Sequence, residues 1–411
     1  MSDLLVRGGQ VLDVRTGTYA PDTDIRIENG SIVDTGRDLI APDDVPRLDA
    51  RGRTVIPGLI DCHVHVLAAT ADLAETGSMP ASYLANRASV IMSSMLRRGF
   101  TTVRDVAGGD FGLSRAQAEG LITGPRLVFG GRALSQTGGH GDDRQPGVAV
   151  HHACPCALTL SRIADGVSEV RRAARDELRT GAHHLKVMAS GGIASPTDRV
   201  DSVQYSSEEL DAIVREATAA GRYVTAHAYT SAAVAHALRA GVRCIEHGNL
   251  IDDPTIEDLV DHDAWLVPTL ITYRAAAEQG ARVGAPAHLL AKLPEVADAG
   301  LSALERAFRA GVNIAYGTDL LGPMHGEQNR EFLLRAEAVP PIEVLRQATV
   351  YAAALLGRSG ELGELSVGAR ADLLLLDGDP AVSAQVLANP AAHLHAVVQH
   401  GTVIPGTLRH P

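Results

Sequence analysis

One stretch of the sequence decides the fold: Pro57-Gly58-Leu59-Ile60-Asp61-Cys62-His63-Val64-His65. It is typical of a buried strand that ends in two histidines. Because side chains two residues apart on a strand point to the same side, this stretch presents a chelating pair. Four further candidate ligands end other apolar runs: Lys186, His227, His247 and Asp319. Residues so far apart in sequence converge where parallel strands of a barrel open onto one face, so the set predicts a site for two metal ions.

The chain between residues 57 and 360 alternates strand-like and helical segments, a pattern typical of βα repeats. Ala-Gly or Thr-Gly pairs mark helix ends shortly before several of the strands. Eight segments are predicted strands: 57–66, 101–106, 126–132, 184–189, 223–228, 243–247, 264–268 and 313–316. We therefore predict an α/β fold in which residues 57–360 form a (β/α)8 TIM barrel.

Short apolar runs separated by Gly, Asp and Pro recur at both ends of the chain. At the N-terminal end Ile25, Ile27 and Ile32 suit antiparallel strands, and residues 371–379 and 395–399 repeat the pattern at the other end. We predict that residues 1–56 and 361–411 together form one small β-sandwich domain.

The charge balance argues against several kinds of partner. The net charge is −12 and no segment concentrates basic residues, so nucleic acid and anionic membrane surfaces are not expected partners. The N-terminus lacks a secretory pattern, and no apolar run approaches the roughly 18 residues of a membrane helix. We expect a soluble, cytoplasmic protein.

The four cysteines carry little of the predicted chemistry. Cys62 and Cys244 lie within apolar strands, where a small buried thiol is the ordinary interpretation. Cys154 and Cys156 form a pair that is too sparse for a structural zinc site, which normally has four ligands.

One connection, residues 133–160, is unusually long and has no periodicity. Long structureless loops in compact domains are usually functional, and a βα loop of a barrel opens onto the catalytic face. We expect this loop, together with loops 68–80 and 269–300, to determine substrate preference. His151, His152 and His325 are expected at the pocket rim or in solvated loops.

The candidate ligands suggest distinct roles. Imidazole suits zinc and neighbouring metals, and the Asp319 carboxylate can both bind an ion and accept a proton from water.

Lys186 differs from the other candidate ligands, because a charged lysine cannot bind a cation. It could extend out of its strand or pair with a carboxylate. Alternatively, burial lowers its pKa and the neutral amine takes up carbon dioxide to become a bridging carbamate. Spacing alone leaves these alternatives open.

Motifs spread over nearly the whole chain carry a family resemblance. They are the stretches 57–65, 186–192, 245–249, 317–320 and 368–373. This set resembles the amidohydrolase superfamily in its binuclear subtype. The resemblance implies two divalent metal ions, with zinc the first choice, and a carbamate on Lys186. It also implies a homo-oligomer, either a tetramer or an octamer.

Within that superfamily, the motifs resemble one branch more than the others. Deaminases typically lack the bridging lysine and carry a glutamate soon after the histidine that matches His227, whereas Ala228-Tyr229 follows here. Loops 136–142, 227–229 and 319–325 resemble the branch of prolidases, Xaa-Arg/Lys dipeptidases and ochratoxin hydrolases. This implies a small-molecule substrate with an amide bond next to a free carboxylate, such as a dipeptide or an N-acyl amino acid. In that branch the residues matching His140 and Tyr229 lie at the substrate, where they donate hydrogen bonds to a carboxylate or a developing oxyanion.

The expected reaction is attack by a metal-bridged hydroxide, with Asp319 taking the proton and returning it to the leaving amine. His140 or a metal stabilises the oxyanion. One alternative is an imidazolonepropionase-like hydrolase of a carbamate, urea, lactone or cyclic amide on the same scaffold. A second alternative is a non-catalytic binding protein, which the complete ligand set disfavours.

Overall fold

The computed structural model describes residues 3–148 and 157–407. Its strands β1 to β18 span, in chain order, Leu4–Asp13, Thr18–Glu28, Ser31–Gly36, Arg47–Asp49, Thr54–Pro57, Leu59–Val64, Phe100–Asp105, Arg126–Phe129, Ala133–Ser135, Ser161–Ile163, Leu185–Met188, Val224–Thr230, Cys244–Leu250, Trp265–Val267, Asn313–Ile314, Leu373–Leu376, Leu394–Gln399 and Thr402–Val403.

The helices of the described part are α1 to α15. They span Leu73–Thr76, Ala81–Arg97, Phe111–Ala118, Gly166–Arg179, Ser207–Ala219, Ser231–Arg239, Asp253–Asp261, Leu270–Gln279, Ala287–Lys292, Ala299–Ala310, Glu331–Ala336, Pro341–Gln347, Val350–Leu355, Gln385–Ala388 and Pro390–His393. Short 3₁₀ segments lie at Gly280–Val283, Leu293–Glu295 and Gly322–Arg330. Among these helices, none combines the length and the apolar character that a bilayer crossing requires.

The chain divides into two compact units. The first contains residues 1–61, 93–102 and 332–411, and the second contains residues 62–92 and 103–331. Strands from both chain ends form one sheet in the order β18-β17-β16-β5-β1-β2-β3, with β4 beside β1. Its core is built from fully buried aliphatic side chains such as Val6, Ile25, Val55, Leu373 and Val398. The prediction that the two ends share one β structure is confirmed.

All eight predicted barrel strands are present, as β6, β7, β8, β11, β12, β13, β14 and β15. One parallel sheet has the order β10-β9-β11-β12-β13-β14-β15, and the strands β6-β7-β8 form another. The predicted α/β fold, a (β/α)8 barrel with a separate sheet from both termini, is therefore confirmed.

One detail of the prediction was wrong. The segment expected to be a structureless loop, residues 133–160, begins with strand β9, whose Leu134 pairs with Val187 of β11. Strand β10 follows the loop and pairs in parallel with β9. Three-residue strands are too short to show an alternating pattern, so the sequence gives no signal for them.

Candidate metal centre

All six predicted ligands line one cavity, which lies within the second unit. They come from strands β6, β11, β12 and β13, from the residue that follows β6 and from the segment after β15. The parallel register places Met188 beside His227 and Ala228 beside His247. Because neighbouring parallel strands end together, residues distant in sequence meet at one edge. The ligands are His63, His65, Lys186, His227, His247 and Asp319.

Three of these side chains form the tightest cluster. The Nε2 atoms of His63 and His65 lie 3.3 and 3.0 Å from Oδ1 of Asp319. Their Nδ1 atoms face acceptors, the Glu246 carboxylate at 2.7 Å and the Ala107 carbonyl at 2.9 Å. In its neutral form each ring therefore carries its proton on Nδ1 and turns a lone pair toward the Asp319 oxygen. Electron-rich atoms that face one another fit a shared cation, so this donor set is consistent with metal binding.

The other two histidines stand on neighbouring strands β12 and β13. Nε2 of His227 lies 3.2 Å from the carbonyl oxygen of Gly191, and Nδ1 of His247 lies 2.8 Å from the hydroxyl of Thr269. Burial holds the pKa of both histidines well below the ordinary value, so both rings are neutral near pH 7. Each ring has one nitrogen engaged and can offer the other as a lone-pair donor to a metal.

Lys186 does not extend out of its strand. Its side chain is buried, with 2% of the residue exposed, and it lines the same cavity as the histidines. Burial lowers the pKa of Lys186 to about 8, against the opposing effect of the Glu246 and Asp319 charges. A lysine with a lowered pKa is neutral more often, and the neutral amine is the form that reacts with carbon dioxide.

Two of the candidate ligands have strained backbone. The φ angles of His247 and Asp319 are 77° and 53°, in the left-handed region that residues other than glycine rarely adopt. Adjacent residues of a strand normally point to opposite faces, but Glu246 contacts His63 while His247 lines the cavity. The left-handed turn at His247 therefore brings two consecutive side chains to the same region. Strain of this kind persists mainly at functional sites.

The sequence did not reveal a buried ion pair behind His63. Glu246 and Arg104 are both fully buried, and one guanidinium nitrogen lies 2.6 Å from the Glu246 carboxylate. Thr225 also hydrogen-bonds to this carboxylate. Burial opposes ionisation of Glu246, but Arg104 and His63 hold its pKa well below the usual range. The carboxylate therefore fixes the tautomer and orientation of His63, as carboxylates commonly do for metal-binding histidines.

Replacing Glu246 with glutamine should weaken metal binding about 10- to 100-fold, because His63 loses its charged partner. It should also lower the free energy of unfolding by about 3–5 kcal/mol, because Arg104 is left buried without a countercharge. Metal titration against a chelator and urea unfolding measure the two effects separately. The matched control is Glu177→Gln, which removes a carboxylate contacted by Arg132 and Arg162 and should affect stability only. Unchanged metal affinity in the Glu246 variant would refute the orienting role.

The two predicted substrate contacts also line the cavity. The His140 ring stacks on the His227 ring, with centroids 4.1 Å apart and planes inclined by 19°. Tyr229 is buried, and burial raises its pKa, so it is a neutral phenol. The hydroxyl of Tyr273 donates to the Tyr229 hydroxyl at 3.2 Å, which leaves the proton of Tyr229 available to the cavity. Both side chains can therefore act as hydrogen-bond donors.

The rest of the cavity wall is largely apolar and comes mainly from the three predicted specificity loops, from residues 193–196 and from residues 321–324. Its larger apolar side chains are Leu73, Leu160, Ile193, Leu289, Leu321 and Met324. The prediction for His325 was wrong: it is buried, and its Nε2 lies 3.0 Å from the carbonyl oxygen of Ala68. His151, His152, Cys154 and Cys156 lie outside the described residues.

A (β/α)8 barrel that gathers four imidazoles, a carboxylate and a buried lysine in one cavity has the arrangement typical of metal-dependent hydrolases. The chain belongs to the amidohydrolase family, whose family model matches residues 54–408. It is a hydrolase that acts on amide bonds and falls in the branch that resembles prolidases and ochratoxinase.

Three relatives illustrate the branch. The ochratoxinase of Aspergillus niger is 34% identical over 366 residues, which cover 83% of this chain and 74% of that protein. A prolidase crystallised with N-methylphosphonate-L-proline is 44% identical with a TM-score of 0.95, covering 98% of this chain and 99% of the other. A Xaa-Pro dipeptidase with methionine bound in its active site is 27% identical with a TM-score of 0.88, covering 98% and 100%.

Proposed function

We propose that this enzyme cleaves an amide bond next to a free carboxylate, in dipeptides or N-acyl amino acids. The observation that carries the proposal is one cavity that holds the six candidate ligands together with two hydrogen-bond donors, His140 and Tyr229. The similarity to a prolidase, a Xaa-Pro dipeptidase and an ochratoxinase supports the same class of substrate. The apolar wall suits a hydrophobic side chain or acyl group.

Two divalent metal ions, for which zinc is our first choice, would be held by His63, His65, His227, His247, Asp319 and a carbamate on Lys186. The imidazole and carboxylate donors of this set suit zinc, although manganese and cobalt fit as well. Bound ions would polarise the scissile carbonyl and make water nucleophilic at neutral pH.

The protein side chains perform the remaining steps. Asp319, which is ionised at neutral pH, takes a proton from the attacking water and later delivers it to the leaving amine. His140 and Tyr229 donate hydrogen bonds to the substrate carboxylate or to the oxygen that becomes negatively charged.

Replacing Tyr229 with phenylalanine should raise KM for a carboxylate-bearing substrate about 10- to 100-fold, because a hydrogen bond to a charged group is lost. Steady-state kinetics measure this, and kcat should change much less. Tyr205→Phe is the matched control, because it removes a buried hydroxyl that donates to the carbonyl oxygen of Ala164 and does not line the cavity. A fall in kcat at constant KM would instead assign Tyr229 to the oxyanion, and no change in either constant would exclude contact with the substrate.

The proposed function is tested by incubating the metal-loaded enzyme with a panel of dipeptides and N-acyl amino acids and measuring release of amine. Each substrate is paired with its carboxamide, which differs only in the terminal charge. Hydrolysis of the acids at a kcat/KM well above that of the carboxamides supports the proposal. Equal rates for the two members of each pair would contradict it.

A second candidate function is the hydrolysis of neutral carbamates, ureas, lactones or cyclic amides. One observation favours it: among the described residues that line the cavity, Lys186 is the only lysine or arginine. A substrate carboxylate would therefore depend on neutral or imidazole donors. Activity on a neutral member of these classes, with none on the acids of the panel, would select this candidate.

A further inference from the structure

The use of lysine in this chain is unusual. Of the 37 lysines and arginines, two are lysines, Lys186 and Lys292, and all others are arginines. An ammonium group directs three protons around a compact point charge, whereas the guanidinium of arginine is a planar fork. A site that needs the ammonium geometry cannot be served by arginine. Lys186 belongs to the metal centre, which leaves the role of Lys292 to be explained.

Lys292 ends helix α9, and its ammonium binds several oxygens of one loop. Nζ lies 3.0 Å from the carbonyl oxygen of Gly192, 2.8 Å from that of Ser195 and 2.6 Å from that of Asp198. It also lies 3.2 Å from Oδ1 of Asp198. His288, on the same helix, hydrogen-bonds to the carbonyl oxygen of Ala194 at 2.9 Å. Helix α9 is therefore fastened at two points to residues 192–198.

The same loop surrounds the ring of His140. Oδ2 of Asp198 lies 3.5 Å from Nδ1 of His140, an ion-pair contact that does not meet hydrogen-bond geometry. The same oxygen accepts hydrogen bonds from the amide of Gly192 and the side chain of Gln204. The side-chain oxygen of Gln204 accepts a hydrogen bond from the backbone N–H of His140 at 2.8 Å. A Cβ atom at Gly192 would approach the His140 ring to 2.3 Å, so the ring fits here only against glycine. With Nδ1 turned to Asp198, the ring offers Nε2 to the cavity.

We propose that Lys292 and Asp198 are positioning residues that fix the orientation of His140 for contact with the substrate. This rests on the proposed function, in which His140 binds the substrate. The chain of contacts runs from the ammonium of Lys292 to one oxygen of Asp198 and from the other oxygen to His140. Neither residue reaches the reacting atoms, so both act through the histidine.

Replacing Asp198 with asparagine should lower kcat/KM about 10- to 100-fold, the size of effect expected when a substrate-binding group is misplaced. Lys292→Arg should produce a loss of similar size although it keeps the charge, because a planar guanidinium cannot reproduce the four contacts. The matched control is Asp201→Asn, which removes an exposed carboxylate on the same loop that pairs with Arg199. Asp201→Asn should leave kcat and KM unchanged. The metal content should be the same in all three variants.

A double-mutant cycle separates positioning from mere support of the loop. If Asp198 acts through His140, then Asp198→Asn should cause little further loss in a His140→Asn background. Additive losses, or a lowered Tm with kinetic constants unchanged, would overturn the proposal. If Asp198→Asn does not fold, the double-mutant cycle with His140→Asn is measured with Lys292→Arg instead.

A spectroscopic readout keeps the proposal testable even if the proposed substrates are not cleaved. Protein labelled with nitrogen-15 at the lysine side chains contains only two such signals, and Lys186→Met assigns them. We expect a slowly exchanging ammonium signal from Lys292 that is lost in Asp198→Asn. In a second sample labelled at the histidine rings, with His140 assigned by His140→Asn, the same variant should shift the His140 ring nitrogens. Unchanged ring signals in Asp198→Asn would refute the positioning role, whatever the enzyme hydrolyses.

Discussion

Replacing Asp319 with asparagine is expected to lower kcat by about 10²- to 10⁴-fold while the fold and the bound metal are retained. Asparagine keeps a side-chain oxygen where Oδ1 lies 3.3 and 3.0 Å from the two imidazoles of His63 and His65. Its amide, however, cannot take up the proton that the attacking water must lose. In the native protein burial opposes ionisation of Asp319, but the two histidines hold its pKa well below the usual range. The carboxylate is therefore the anion that a general base must be.

The measurement combines steady-state kinetics with metal analysis of the same preparation. Asp110→Asn makes a suitable control, because Asp110 caps helix α3 through the amide of Leu113 and asparagine caps helices equally well. This control carries the same change in charge without touching the cavity, and it should turn over normally. Near-normal kcat in Asp319→Asn with metal still bound would remove Asp319 from the role of base.

The sequence predicted the barrel because its signals are local. Each central strand is a short apolar run, and most candidate ligands lie near the end of such a run, which in a parallel barrel opens onto one face. Lys186 in β11 and His227 in β12 show this directly, since the register sets Met188 beside His227. The strands at the two chain ends could be predicted to share one β structure because the same pattern of short apolar runs and turn residues occurs at both ends.

The supporting contacts could not be predicted, because their partners are distant in sequence. Arg104 is 142 residues from Glu246, and Lys292 is 94 residues from Asp198. A charged residue inside an apolar strand, as at Arg104, is the one available signal, since such a residue must find a countercharge when buried. The buried charge indicates that a partner of opposite charge exists, but it does not identify that partner. Only the folded barrel identifies Glu246 and, through it, the orientation of His63.

Replacing Lys186 with methionine is expected to lower kcat/KM by at least about a hundredfold and to reduce the metal content of the chain. Loss of an outer contact to a metal site already costs 10- to 100-fold, and a bridging ligand should matter more. Methionine fills nearly the same volume and introduces no charge. Methionine needs no countercharge at this position, where 2% of the residue is exposed, so the variant should retain the fold.

A variant that keeps the fold but loses activity and metal distinguishes the two interpretations of Lys186, namely a lysine paired with carboxylates and a carbamate that binds metal. A lysine that served only to pair with Glu246 and Asp319 would, on replacement, change the stability and leave metal content near normal. If Lys186 carries a carbamate, its replacement removes a metal ligand.

Lys186→Ala leaves space in the cavity, so added formate or propionate should restore part of its activity, whereas Lys186→Met should not respond. Carbon-13-labelled bicarbonate should add one carbonyl signal to the native protein that both variants lack. Full metal content and activity in Lys186→Met, or no such signal, would exclude the carbamate.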